Sequence, residues 1–208
     1  NRPRKAGYTF CFSKSNHVLV IIYLLILIIE MSQKMIPKRI PKAYSIWLIP
    51  NGEKYTLLKS TIIELSHIFN GIKFIPHVTV VSNLDYSEKF LSKKVESIAK
   101  NVKPFNIEFN SINYLDEFFQ SFFISVKIND DLANIRKIAK SYFLKMNEEY
   151  NPHLSLAYGN IESKIKKILK RKIYCPIKNF KATELYLAYN DEVNFKWEVI
   201  NKFPLKKW

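Results

Sequence analysis

The chain has 208 residues, 48% of them hydrophobic and 14% aromatic, which suits one substantial core and excludes a disordered chain. Its 33 Lys and Arg against 18 Asp and Glu leave a net charge of +15, a field that favours an anionic partner such as phosphate, nucleic acid or a membrane surface. Two cysteines (Cys11 and Cys175) and four glycines exclude a disulfide framework, a cysteine-based metal module and a glycine-rich nucleotide loop.

Residues 1–42 read as an N-terminal extension. Its apolar run, Val18 to Ile29, is 12 residues long, short of the ~20 needed to span a bilayer. No small-residue cleavage site follows it, as a signal peptide would require. Met31 and Met35 stand just before the well-patterned region, so residues 1–30 are expected to be translated upstream sequence and the protein cytoplasmic. A secretory or membrane-anchored protein using residues 10–30 is the alternative.

From residue 43 the pattern is regular. "AYSIWLIP" is apolar, rich in β-formers and stopped by Pro50, which predicts a strand. Leu58, Ile62, Leu65 and Phe69 recur at helical spacing, with Gly71 as the expected stop. "HVTVVSNL" is a strand by its β-branched residues. Asp85 with Glu88 has the spacing of a capping box for a helix to about Val102. "PFNIEFNSINYL" alternates as a strand begun by Pro104. "FFISVKI" is a strand. "DDLANIRKIAKSYFLKMNEEY" is a helix with Asp130 as N-cap and Leu132, Ile135, Ile138 and Phe143 on its apolar face. "HLSLAYG" is a strand, "IESKIKKILKRK" a basic helix, and "TELYLAYN" and "FKWEVINKFPL" are strands joined through "NDEVN".

Each half of residues 43–208 therefore runs strand, helix, strand, helix, strand. The expectation is a bilobal, pseudo-duplicated α+β fold. Two antiparallel sheets line a central cleft, with helices outside, and the lobes are approximately 43–115 and 116–208 or intertwined.

Two short stretches carry the chemistry. "IPHVTVV" and "NPHLSLAYGN" share the form Pro-His-apolar-hydroxyl-apolar, and they occupy the same topological position in each half. Residues i and i+2 of a strand share a face. His77 with Thr79, and His153 with Ser155, therefore point one way, while Val78, Val80, Leu154 and Leu156 point the other. Two lobes facing each other would bring two imidazoles and two hydroxyls into one cleft. That set suits phosphodiester hydrolysis: one histidine accepts a proton from water, the other supplies one to the leaving oxygen, and the hydroxyls bind the phosphoryl oxygens. An unperturbed histidine pKa of about 6.5 makes both forms accessible near neutrality. His17 and His67 lack this setting. No zinc motif, Walker loop or nucleophile elbow is present. "KKILKRK" reads as a solvated helical face or, alternatively, as an RNA-contacting patch.

The paired "PHVTV" and "PHLSL" resemble the signature of the two-histidine phosphoesterase superfamily. "YSIWLIP" before a helix and the closing "ELYLAYN…WEVINKFPL" resemble, in order, its cyclic phosphodiesterases. The resemblance runs from about Ala43 to Leu205. It implies that His77 and His153 are catalytic, that Thr79 and Ser155 hold the phosphate, that Tyr158 lines the site, and that Trp47 lies near the substrate base. Tyr158 does not alternate onto the motif face of an ideal strand, so its place rests on the resemblance and a local twist. A core role is the alternative for Trp47. The resemblance further implies metal-independent opening of nucleoside 2′,3′-cyclic phosphates to 2′-phosphates and of ADP-ribose 1″,2″-cyclic phosphate to the 1″-phosphate, without cofactor, in the metabolism of RNA and tRNA-splicing by-products. The expected partner is a small cyclic phosphate, RNA ends are a second candidate, and a monomer is expected. The rival readings are a 2′-5′ RNA ligase or RNA 3′-end phosphodiesterase of the same superfamily, and a non-catalytic RNA-binding module.

Overall fold

The computed structural model describes residues 43–143, 150–175 and 177–206. The apolar run of the N-terminal extension and residues 144–149 of the long predicted helix lie outside them. In the described chain, strands β1 (Ala43–Leu48), β2 (Val78–Leu84) and β3 (Phe105–Asn113) alternate with helices α1 (Gly52–Ile68) and α2 (Glu88–Lys100). Then follow β4 (Phe122–Val126), α3 (Asp130–Tyr142), β5 (His153–Ala157), α4 (Ser163–Lys172), β6 (Asn179–Ala182), β7 (Glu184–Asp191) and β8 (Lys196–Pro204). A single 3₁₀ turn, Phe118–Gln120, precedes β4. No helix among the described residues is long and apolar enough to cross a membrane.

Every strand pair is antiparallel, in the order β6-β3-β4-β5-β2-β1-β7-β8. The eight strands form two four-stranded halves, β6-β3-β4-β5 and β2-β1-β7-β8, joined by one registered pair, Val78 with Leu154. The halves are intertwined. β3 leaves the first stretch of chain to pair with β4, and β7 returns from the end of the chain to pair with β1, with β8 beyond it.

α1, α2 and α3 cover the face opposite the motif side chains, and α1 and α3 each cross to the other half. α1 packs on β5, α3 on β2, and α2 on β7 and β8. Their apolar stripes bury Leu58, Ile62 and Leu65 of α1, Leu91, Val95 and Ile98 of α2, and Leu132, Ile135 and Ala139 of α3. These meet Val78, Val80, Leu154 and Leu156, all at most 1% exposed, in one continuous core. Burying each such side chain contributes about 1.5–3 kcal/mol. The apolar partners of each His-hydroxyl pair thus anchor the strand, and the alternation leaves the polar partners on the open face.

Four helix ends differ from the sequence expectation. Ser87, not Asp85, caps α2, its Oγ accepting from the Phe90 N–H at 3.4 Å. Asn129, not Asp130, caps α3, its Oδ1 accepting from the Leu132 N–H at 2.9 Å. In both cases the winning residue sits at the first extended backbone position, where a short polar side chain reaches the free N–H groups. α3 itself ends at Tyr142. α1 ends at Ile68, and Asn70 rather than Gly71 adopts the left-handed conformation (φ 47°). Gly71 serves a different need: a Cβ there would sit 3.3 Å from the Tyr158 carbonyl oxygen.

Candidate active site

The motif residues line one cavity of about 350 Å³, within the size range of small-molecule sites. Its walls include His77 just before β2, Thr79 from β2, His153 and Ser155 from β5, Trp47 from β1, Tyr158, Trp197 and Arg136. The pairing of Val78 with Leu154 explains the convergence. Continued by one residue each way, an antiparallel register sets His77 opposite Ser155 and Thr79 opposite His153. The four side chains share one face around a local two-fold axis.

The repeated proline now has a structural reading. The Nδ1 of His77 hydrogen-bonds the carbonyl of Ile75 at 2.6 Å, and the Nδ1 of His153 that of Asn151 at 2.8 Å. A carbonyl only accepts, so each Nδ1 carries the hydrogen, and each neutral ring presents Nε2 as an acceptor. Pro76 and Pro152 lie between ring and carbonyl in each case. Proline fixes its own φ and biases the preceding residue to extended geometry, which repeats the same imidazole–carbonyl turn at both sites.

Burial pulls both imidazoles below the usual histidine range. His77 is drawn down to about 4, its burial reinforced by His153 and opposed by the Ile75 carbonyl. His153 is lowered by burial and pulled back by its Asn151 contact and by Glu117. Of the two, His77 is held neutral more firmly in the unliganded protein.

The indole of Trp47 lies flat on the His77 imidazole, with centroids 3.8 Å apart and an interplanar angle of 16°. Register places Trp47 opposite Thr79 on the neighbouring strand. It lines the cavity but is only 2% exposed, and one of its faces is covered by His77. Tyr158 follows the last residue of β5, and Gly159 turns the chain with φ 131°. The strand ends before alternation would carry Tyr158 to the core face, so its ring enters the cavity wall. It stacks on Phe74 at 3.9 Å, meets Phe119 edge-on at 5.3 Å, and lies within hydrogen-bonding reach of Ser155. Burial raises the Tyr158 phenol above its ordinary value, keeping it a neutral donor. Ser155 Oγ donates to the Phe119 carbonyl at 3.1 Å.

Sequence reasoning missed several of the wall residues. Tyr150 donates from its hydroxyl to the Thr79 carbonyl at 3.1 Å. Arg136 of α3 donates to the Val80 carbonyl and lies 4.6 Å over the Tyr150 ring. Together they brace β2 beside its motif. Tyr150 stands just before "NPH", which could have drawn attention to it; Arg136 carries no local signal. Asn190, Glu192 and Trp197 also line the cavity, from β7, the following turn and β8. The basic helix α4 holds a surprise as well: Lys166 is 1% exposed, its Nζ bound to the Leu115 carbonyl and to Asp116, both at 2.7 Å.

Two imidazoles and two hydroxyls converging from paired strands of an antiparallel α+β fold define a two-histidine phosphoesterase. The model of the family described as cyclic phosphodiesterase-like protein matches residues 42–206, and the chain belongs to that family. It is 27% identical over 132 residues to the cyclic phosphodiesterase of Arabidopsis thaliana, covering 63% of this chain and 73% of that one. It is 32% identical over 137 residues to a 2′,3′-cyclic-nucleotide 3′-phosphodiesterase of Kluyveromyces lactis, covering 56% and 64%. Among solved structures, Escherichia coli LigT complexed with 3′-AMP shares the fold with a TM-score of 0.53 at 11% identity, over 81% of this chain and all of that one. A Thermus thermophilus protein gives a TM-score of 0.56 at 11% identity, over 79% and 98%. The protein is a phosphodiesterase.

Proposed function

We propose that the enzyme hydrolyses small cyclic phosphodiesters without a metal ion. The substrates are nucleoside 2′,3′-cyclic phosphates, opened to 2′-phosphates, and ADP-ribose 1″,2″-cyclic phosphate, opened to the 1″-phosphate. The observation that carries this reading is the square of His77, Thr79, His153 and Ser155 on one face of the β2–β5 pair, at the floor of a cavity of small-molecule size.

In this mechanism the cyclic phosphate sits over the square. A neutral imidazole takes a proton from water as its oxygen attacks phosphorus. The opposite P–O bond breaks, and the second imidazole, protonated, gives its Nε2 proton to the departing ribose oxygen. For a 2′,3′-cyclic phosphate the 3′-oxygen leaves and the phosphate stays on the 2′-oxygen. Thr79 and Ser155 donate to the non-bridging oxygens, where charge accumulates. Ser155 exchanges its Phe119 carbonyl partner for the phosphate. The substrate's negative charge favours the imidazolium, restoring the proton that burial removes in the free site. The names of the Arabidopsis and Kluyveromyces relatives fit this substrate class. The setting proposed for this chemistry is RNA cutting or splicing that leaves cyclic phosphates, the substrates of the reaction.

The test is product analysis on 2′,3′-cyclic mononucleotides and on an RNA ending in a cyclic phosphate, with and without chelator. Formation of 2′-phosphates from mononucleotides, insensitive to chelator, is expected. Turnover of RNA ends alone would assign the enzyme to end processing, and loss of activity with chelator would make it a metal enzyme.

A further inference from the structure

One polar group in the cavity has no hydrogen-bond partner among the described residues and no task in the mechanism. Asn190, on β7, is 7% exposed and faces the cavity. Its Nδ2 donates to Ser45 Oγ, which fixes the amide plane. Its Oδ1 is the buried, unpartnered atom. An orphaned buried acceptor is costly to the folded protein, and a ligand carrying a donor removes that cost.

Its neighbours narrow the choice of ligand. Trp197 is directly opposite Asn190 on β8, half-exposed, and lines the same cavity. Glu192, in the turn after β7, lines it too and is partly buried. Burial lifts the Glu192 carboxyl above its ordinary range, but either form offers an acceptor oxygen. This end therefore presents two acceptors beside an indole. A carboxylate repels phosphate, so this end receives the uncharged part of the substrate. In the sheet, Asn190 is two strands across from Thr79 and four residues along, a backbone separation of roughly 16 Å. With side chains reaching in from both positions, that leaves room for a nucleoside between them.

We propose that Asn190 Oδ1 and Glu192 form a base-reading subsite for a nucleobase with adjacent N–H donors, the guanine edge, packed on Trp197. This rests on the cyclic-phosphodiester reading of the catalytic square. Guanine offers N1–H and N2–H₂ side by side, a pair that two neighbouring acceptors satisfy.

The test is equilibrium binding of two unphosphorylated nucleosides, guanosine and unsubstituted purine riboside, to the full chain. Purine riboside keeps both rings and has no N–H donor on its base. Guanosine is expected to bind about tenfold more tightly. Asn190→Leu should lower guanosine affinity toward that of purine riboside, and Asn190→Asp, which keeps an acceptor and can take the Ser45 proton, should restore the preference. Equal affinities for the wild type, a preference for purine riboside, or no binding of either nucleoside would overturn the subsite. Because no phosphate is involved, failure to hydrolyse any cyclic phosphate would refute the catalytic reading while this comparison still judged the subsite.

Discussion

Val78 pairs with Leu154, the one registered strand pair through which the two halves of the sheet meet. Each is the residue after a motif histidine. Both are fully buried, so the seam between the halves is also the anchor of the catalytic face. The local two-fold axis through this pair makes the two histidines near-equivalent in backbone setting.

That equivalence predicts matched losses. His77→Asn and His153→Asn should each lower kcat for a 2′,3′-cyclic nucleotide by about 10²–10⁴-fold, the usual contribution of a positioned acid or base. The double variant should be little worse than either single one, because one proton relay is already broken. Steady-state kinetics with a circular-dichroism melt checks this. Turnover surviving either change would remove that histidine from the reaction.

Trp47 offers a way to separate two roles. If its ring holds His77 in place, Trp47→Leu should lower kcat about tenfold with KM nearly unchanged, whereas a base platform would show chiefly as a raised KM. Trp47→Phe should retain most of the rate, since a smaller ring can still stack. Loss of this buried indole should also destabilise the fold by about 3 kcal/mol. The stacking on His77 and the 2% exposure favour the kcat effect.

Acid should destabilise the protein through His77. Its folded pKa is about 4, below the unfolded value of about 6.5. Between the two, the unfolded state binds more protons, so stability falls as pH falls. The contribution is fully present above pH 6.5 and is lost on descending through about 4, to a limit of about 3 kcal/mol. Thermal melts from pH 7.5 to 4 should show a declining Tm, and His77→Asn should flatten that decline. An identical slope in the variant would show that other groups govern it.

The two hydroxyls should differ in their structural cost. Thr79→Val and Ser155→Ala should each slow turnover by about 10–100-fold, the value of a hydrogen bond to a charged group. Only Ser155→Ala also deprives the Phe119 carbonyl of its donor, so it alone should lower stability, by about 1 kcal/mol. Urea titrations of both variants measure the contrast.

What the sequence could reveal was whatever depends on local pattern. The i, i+2 alternation in "HVTV" and "HLSL" gives the shared face of each His-hydroxyl pair, the apolar repeats give α1 and α3, the Asp85/Glu88 spacing points to α2, and the basic run marks α4. β6, only four residues long, escaped notice because "NFKA" is too short to show a period. The caps at Ser87 and Asn129 were misplaced by one or two residues, since several polar residues in a row could each serve. Tyr158 was expected at the site only through family resemblance, because alternation fails once the strand ends.

By itself the sequence determined that two strands would each offer an imidazole and a hydroxyl on one face, since that follows from backbone geometry alone. Tertiary structure decided that the two faces would be one. The antiparallel pairing of Val78 with Leu154 crosses 76 positions of chain, and no local pattern encodes a partner at that distance. The same holds for Trp47 on His77 and for Arg136 and Tyr150 behind β2. Such contacts arise from which strands neighbour each other, and that is set by how the whole core packs.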